Sequence, residues 1–523
     1  MALESAVGHD FKHVNPWLIT ISVMLSTFME VLDTTVVNVS LPHIAGSLSA
    51  TVDEATWVLT SYLVANAIIL PITGWLANYF GRKNLLMLSV VSFTAASFLC
   101  GLAPNLPLLI IFRLLQGAAG GCLQPLSQAV LLEAFPPAER GKAMGFWGLG
   151  IVVAPILGPV LGGWLTDSYS WRWVFYINIP IGILSIMMTK AFIFDPPYIK
   201  RGSSRVDYWG IGMLAVGIGA LQVVLDKGQE EDWFASHMIQ ILVFLTIAGI
   251  IAFIVREIMT SDPVVQLHIF EFRSYSTGVF LMTVVGFVLY GSLVLLPVLM
   301  QTLLGYPSLQ AGIALAPRGI GSFIAMPIVG AIMSKFDPRK LLALGLIGGA
   351  VTLFQLSRLN LDAGYWDFFW PQFFQGISLG LLFVPLTTIA MDPIPKETMG
   401  NATSMFNLMR NIGGSIGIAS ATTILARRNQ SNTSVVGSHV DIYNPQATAM
   451  IDSMRSGFMA RGSDFTTATH QAYDAVFGMV QRQAAMISFN EVFFLFGGIF
   501  ALMLPLLFIM KRPAKAGGGM PVH

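Results

Sequence analysis

Fourteen apolar runs decide what this chain can fold into. They lie near 17–39, 55–77, 84–103, 107–131, 143–166, 173–193, 208–226, 238–258, 276–301, 309–334, 340–358, 367–391, 401–426 and 489–510. Each is close to the roughly 20 residues that a helix needs to cross a bilayer. Inside hydrocarbon a segment must satisfy its own backbone groups, so these runs are expected to be helices. Only 11% of the residues are charged and 54% are hydrophobic, with a mean hydropathy of +0.69. A soluble chain carries about 25% charged residues. The chain is therefore expected to be an all-α protein whose solvent is lipid. The first run is read as a membrane span and not as a cleavable signal, because it lacks a small-residue cleavage site. A net charge of +1 implies no polyanion, and no basic stretch suits a nucleic acid. Cys100 and Cys122 both fall in apolar runs, where they are read as packing residues.

Lys and Arg set the orientation. With the N-terminus inside, most of the 29 basic residues fall in inside segments, among them Arg82, Lys83, Arg140, Lys142, Lys200, Arg201 and Arg205. The short outside loops carry only Arg172, Lys227 and Arg358. Both termini are thus expected on the cytoplasmic side, with an even number of spans.

A weak internal repeat divides the chain. Gln116-Gly117 in span four aligns with Gln375-Gly376 in span twelve, and GWLANYFGRK after span two aligns with GAIMSKFDPRK after span ten. The offset of eight spans leaves two extra helices between two six-helix halves, an architecture that places substrate near the midplane. The expected divisions are a first half at 1–193, a linker with two helices at 194–260, and a second half at 261–523. The outside segment 427–488 is too long for a plain connection. Met450, Met454 and Phe458 recur in it at helical spacing.

The costliest residues stand in span one, WLITISVMLSTFMEVLDTTVVNVSLP. Glu30 and Asp33 sit there three apart and are expected to face one space. A charge near the bilayer centre costs about 2.5–3.5 kcal/mol on insertion scales, so it marks function or a paired site. Two acids this close form a coupled pair. Arg113 in span four lies at the same depth as Asp33, roughly 10 Å below the outer surface at about 1.5 Å per residue. An Asp33–Arg113 pair is geometrically permitted. Arg318 and Arg410 lie nearer the midplane of the later spans with no acid at matching depth. Asn66, Gln124, Tyr290, Gln375 and Asn407 complete the polar candidates for a substrate cavity; such groups also tie helices together in lipid. No nucleotide loop and no Cys/His metal cluster appears, so an ATP-driven pump, an enzyme and a metal site are not indicated.

These residues resemble a known family. LDTTVVNVSLP (Leu32 to Pro42), GWLANYFGRK (Gly74 to Lys83), FRLLQGAAGG with Arg113, and the span-five series Gly145, Ala154, Gly158, Pro159, Gly162, Gly163 are similar to motifs of the major facilitator superfamily, in its fourteen-helix drug:proton antiporter branch. The likeness is greatest to EmrB-type multidrug exporters. It implies a proton-coupling role for Asp33, with Glu30 and Arg113 beside it. It implies a conformational latch at Gly74, Gly81, Arg82 and Lys83. It implies a hinge or leak seal specific to exporters at Gly145, Gly158, Pro159, Gly162 and Gly163. Where the family usually has an acid and then a base, this chain has Asn78 and Tyr79, which removes the expected charge from the latch. The implied function is export of hydrophobic drugs across a bacterial inner membrane, driven by the proton gradient without a cofactor. The implied partners are a periplasmic adaptor (an EmrA-type membrane fusion protein) and an outer-membrane channel. A lipid or fatty-acid exporter or flippase, or a nutrient symporter on the same fold, is the alternative.

Overall fold

Asx–Pro pairs start several of the helices. The computed structural model describes residues 15–510 apart from 138, 196–206, 261–262, 334 and 442. Asn15 caps the first helix by accepting from the Trp17 amide at 3.0 Å. Pro16 follows in the first turn, where its missing N–H leaves nothing unsatisfied. Asp337 with Pro338 and Asn444 with Pro445 repeat the device. Between the second and third spans a single residue, Gly81, makes the turn at φ 84°, a left-handed conformation that favours glycine.

In chain order the helices are α1 (Pro16–Ser47), α2 (Val52–Ala55), α3 (Trp57–Phe80), α4 (Arg82–Leu102), α5 (Leu106–Gly120), α6 (Leu123–Ala134), α7 (Arg140–Ser168), α8 (Trp173–Tyr176) and α9 (Asn178–Phe192). Then follow α10 (Tyr208–Lys227), α11 (His237–Met259), α12 (Arg273–Thr302), α13 (Ser308–Ile332), α14 (Pro338–Leu356), α15 (Tyr365–Met391), α16 (Met399–Gly437), α17 (Pro445–Ala460) and α18 (Phe465–Leu502). Among the described residues, 13 segments are long and apolar enough to cross a membrane. The remaining expected span is α16, which is more polar. Asn401, Thr403, Ser404, Asn407 and Arg410 lie along it and are buried in protein. The fourteen expected spans are all helices. Span four is α5 followed by α6, broken near Gly121.

The repeat is real in three dimensions. Gly117 on α5 packs on the Tyr62 carbonyl of α3, and Gly376 on α15 packs on the Arg318 carbonyl of α13. A side chain at either glycine would strike backbone, so small residues set both crossings. Between the first six and last six spans, α10 packs on α3 and α16, while α11 packs on α10 and turns most of its surface outward. The polar connection 196–206, with Lys200, Arg201 and Arg205, lies outside the described residues, as do Lys12 and residues 511–523.

One expectation is corrected. The segment 427–488 is not a loop but a helical extension. α16 continues to Gly437, and α18 begins at Phe465 under an Asp464 cap that accepts from the Thr466 and Thr467 amides. The expected helix at Met450 to Phe458 is α17, which packs on α18. Ala468, Ala472, Val476, Val480 and Ala484 form a buried stripe at every fourth residue of α18. Its small side chains give little hydropathy, so it does not read as a span. At about 1.5 Å per residue, the 38 residues of α18 reach about 57 Å. A hydrocarbon core is about 30 Å thick, so α18 stands well clear of it. We call the membrane side where α1 starts the N face and the side of this extension the far face.

Candidate functional site

Asp33 is fully buried on α1. Arg113 Nη1 of α5 donates to its Oδ2 at 2.6 Å. Gln116 Nε2 and Asn178 Nδ2 donate to its Oδ1 at 2.9 and 2.7 Å. Asn178 opens α9 and also donates to Ser97 Oγ of α4 at 3.0 Å. Arg113 is itself held from three sides. Its Nε donates to the Val58 carbonyl at 3.1 Å, its Nη1 to Gln116 Oε1 at 2.7 Å, and its guanidinium lies 4.2 Å from the Tyr62 ring centre. A carboxylate so paired and hydrogen-bonded is tolerable in an apolar interior. The expected Asp33–Arg113 pair is present, and every partner belongs to the first six spans.

Glu30 takes a different direction. It accepts from Asn66 Nδ2 of α3 at 3.2 Å and from Gln124 Nε2 of α6 at 2.5 Å. The other end of Gln124, its Oε1, accepts from Arg410 Nη2 of α16. The two acids therefore do not share one space as expected. Residues three apart differ by about 60° around a helix of 3.6 residues per turn. That angle is enough to send Asp33 toward α5 and α9 and Glu30 toward α6 and the last six spans.

The other candidates separate in the same way. Arg318 Nη2 donates to Gln375 Oε1 and lies 3.5 Å from Ser292 Oγ. It is buried and, among the described residues, has no carboxylate partner. Asn407 donates to Gln128 Oε1 at 2.6 Å and to the Thr403 carbonyl at 2.8 Å, so it clasps α16 to α6. Tyr290 and Arg410 border a small central cavity of about 30 Å³, with Met282, Met326, Leu379 and Phe383. Asn66, Gln124, Arg318, Gln375 and Asn407 do not border it. A space of this size is far below the several hundred Å³ that a drug-sized ligand needs.

At the N face the latch residues meet a partner the sequence reading missed. Arg82 is buried and ion-paired with Glu133, in the last turn of α6, and its Nη2 donates to the Lys396 carbonyl at 3.4 Å. Glu133 supplies the charge that Asn78 does not. The Lys83 amide donates to Asp195 Oδ1 at 2.7 Å and Lys83 Nζ to the Lys190 carbonyl at 2.9 Å. Gly74 packs on the backbone of Asn401. The span-five glycines fall into two groups. Gly145 packs on the Met326 carbonyl of α13, between the halves, whereas Gly158 and Gly162 pack on Thr35 and Val36 of α1, just past Asp33. Pro159 lies inside α7 between them. Gly163 meets nothing nearer than Val39 at 4.0 Å.

Hydrogen bonds between the first six and last six spans run from the N face to the middle. Among the described residues they include Arg82 to Lys396, Thr403 Oγ1 to the Pro125 carbonyl at 3.0 Å, Asn407 to Gln128, and Arg410 to Gln124. The N face is closed in this structure. Of the residues that surround these carboxylates and clasps, sequence reading left Asn178 and Gln128 among the general polar groups, used Gln116 only for the repeat, and did not single out Ser97. Their signal was a carboxamide or hydroxyl in an apolar run. Nothing local marked Glu133.

Fold and site together define a polytopic membrane transporter with a repeated six-helix unit, buried ion pairs within its first half and hydrogen bonds between the halves. The model of the Major Facilitator Superfamily matches residues 23–418, and the chain belongs to that superfamily, among its EmrB-type multidrug exporters. It is 39% identical over 505 residues to the multidrug export protein EmrB of Escherichia coli (strain K12), covering 96% of each chain. It is 37% identical over 504 residues to the fatty acid resistance protein FarB of Neisseria gonorrhoeae, covering 96% of this chain and 97% of that one. Among solved structures, the human organic anion transporter MFSD10 matches with a TM-score of 0.61 at 12% identity, covering 94% of this chain and 99% of that one, a likeness of fold alone. The protein is a multi-pass inner-membrane transporter of the multidrug efflux type.

Proposed function

We propose that this chain is a proton-coupled antiporter that exports hydrophobic toxic compounds, with the N face and both termini cytoplasmic. The observation that supports this most is the Asp33 site: a fully buried carboxylate held by Arg113, Gln116 and Asn178 inside one half. A proton on Asp33 cancels its charge, frees Arg113, and lets the first half shift against the second. The membrane potential contributes about 2.3 kcal/mol per charge per 100 mV. The proton gradient is the drive, with no cofactor. Substrate enters between the halves at the level of Tyr290 and Arg410 once that region opens. The far-face extension of α16, α17 and α18 is the surface for a periplasmic adaptor, which continues the path to an outer-membrane channel. Energised everted vesicles carrying Asp33→Asn test the reading. Loss of proton-driven drug accumulation is expected, and undiminished transport would sink it.

A second reading is favoured by one feature. Arg410 is the charged residue bordering the central cavity, and a relative at 37% identity is named for fatty acid resistance. Export of an amphipathic carboxylate would use that guanidinium. Resistance of an efflux-deficient host to long-chain fatty acids, compared with resistance to neutral and cationic drugs, separates the two.

A further inference from the structure

The contact between Arg410 and Gln124 sets a cation of one half against a carboxylate of the other. Gln124 is the bridge, with its Nε2 on Glu30 and its Oε1 on Arg410. We propose that Glu30, Gln124 and Arg410 form an electrostatic tether across the two halves, which holds the N-face-closed state and releases when Glu30 is neutralised. This deepens the antiporter reading and rests on it, by naming a second acid, beside Asp33, whose protonation bears directly on the contact between the halves.

Three observations carry the proposal. First, both charged ends are buried, Glu30 at 5% and Arg410 at 4% exposure, so neither is screened by water. Second, the tether lies where the halves must part. Opening the N face has to separate α16 from α6, because the clasps Thr403 to Pro125 and Asn407 to Gln128 lie on the N-face side of it on the same two helices. Third, Arg410 contacts no other acid among the described residues. Its remaining bond is to Asn411 Oδ1 at 3.4 Å, and its Nε has no partner there. The groups that face Glu30 are Asp33 on its own helix, Tyr62 and Asn66 on α3, Gln124 on α6, and Arg410 on α16. Among these, Arg410 is the cation contributed by the second half.

The consequence has a definite sign. With Glu30 ionised, separating α16 from α6 leaves a buried cation and a buried carboxylate apart, and the N-face-closed state is favoured. A proton on the Glu30 carboxylate makes it a neutral acid. Gln124 then bridges a guanidinium to a neutral group, and the preference for the closed state falls. A proton arriving from the far face thus permits the turn that opens the N face. Its departure to the N face restores the charge for the return. A ligand shifts a two-state equilibrium only by its difference in affinity for the two states. Here that difference is the Arg410 charge, present near Glu30 in one state and withdrawn in the other.

The test is a distance measurement across the N face in purified protein in nanodiscs, without drug or gradient. Asn84→Cys on α4 and Glu397→Cys before α16 are exposed labelling sites, and the native Cys100 and Cys122 are buried. At one fixed alkaline pH, Glu30→Gln and Arg410→Gln should each raise the open-to-closed ratio on the order of tenfold. The double variant should raise it no further, and Arg410→Lys should give a smaller shift. If Arg410→Gln does not fold, Gln124→Leu cuts the bridge and leaves both charges, and is expected to raise the ratio in the same direction. Single variants with the wild-type distribution, or a double variant whose effect is the product of the two singles, would overturn the tether. The measurement needs no transport, so its failure is distinguishable from failure of the antiporter reading, which shows only as lost proton-driven flux.

Discussion

Asp33→Asn removes the charge that compensates Arg113, and its cost can be worked from the site. The pair is fully buried and joined at 2.6 Å. Breaking a buried pair by removing one partner costs about 3–5 kcal/mol, because the other charge is left uncompensated. Two features place Asp33→Asn at the lower end of that range. Arg113 keeps the Val58 carbonyl at 3.1 Å and the Tyr62 ring at 4.2 Å. The carboxamide oxygen of the substituted side chain can still accept from Gln116 and Asn178. Its amino group, however, presents a donor to the Arg113 donor. Arg113→Gln leaves Asp33 as a buried anion and is expected to cost a similar amount. The double variant leaves no charge at all, so its cost should fall short of the sum by about 2–3 kcal/mol. Unfolding of the four proteins in mixed micelles, followed by labelling of the buried thiols Cys100 and Cys122, gives the cycle. Additive costs would refute the claim that these two charges compensate each other.

Two further outcomes follow from the packing and from the N face. Gly376→Ala places a Cβ against the Arg318 carbonyl and should cost about 1–3 kcal/mol by overpacking, whereas Gly163→Ala, with nothing nearer than 4.0 Å, should be close to neutral in the same unfolding assay. Asp207 caps α10 through the Gly210 amide at 3.1 Å and accepts from Arg256 of α11 at 3.0 and 3.2 Å. Burial pushes its carboxyl up, but the Arg256 and backbone bonds more than offset this and hold it below the usual carboxylate range. A depressed folded value means the contact stabilises fully above the unfolded pKa of about 3.9 and is lost as pH falls through the folded value. Hydrogen exchange at Gly210 and Ile211 should therefore quicken on acidification below about pH 4, and Asp207→Asn should remove that dependence.

The spans, the repeat and the Asp33–Arg113 pair were legible because each leaves a one-dimensional trace. Apolar runs of membrane length are visible as runs, Gln116-Gly117 recurs as Gln375-Gly376, and depth along a helix follows from counting residues. The direction of a side chain around its helix leaves no such trace. Glu30 and Asp33 read as one site because they are three apart, yet the angle between them placed their partners on different elements. Glu133 was missed because its partner Arg82 is remote in sequence and meets it only through the packing of α6 on α4. The far-face extension was read as a loop because Ala468, Ala472 and Ala484 bury little area while fixing a helix face.

The two halves share a backbone crossing but not its chemistry, and this leads to a last prediction. In the first half Gly117 meets Tyr62, and Arg113 beside them is answered by Asp33. In the second half Gly376 meets Arg318, and the cation itself occupies the position on α13 that Tyr62 holds on α3. Ser292 lies 3.5 Å from Arg318 and follows Asp33 by the interval that separates Gln375 from Gln116. The second half thus carries a buried cation and a hydroxyl where the first carries a cation and an acid. A new carboxylate in a membrane interior normally costs about 2.5–3.5 kcal/mol. Ser292→Asp should escape that cost, because Arg318 already carries the uncompensated charge that the new group would answer. The substitution is expected to be neutral or stabilising in the wild-type background and to cost the full amount in Arg318→Gln. The same destabilisation in both backgrounds would show that Arg318 is already compensated by its neutral partners Gln375 and Ser292. A stabilised Ser292→Asp protein that no longer transports would show that this position of the second half is kept without an acid so that the Asp33 position alone handles the proton.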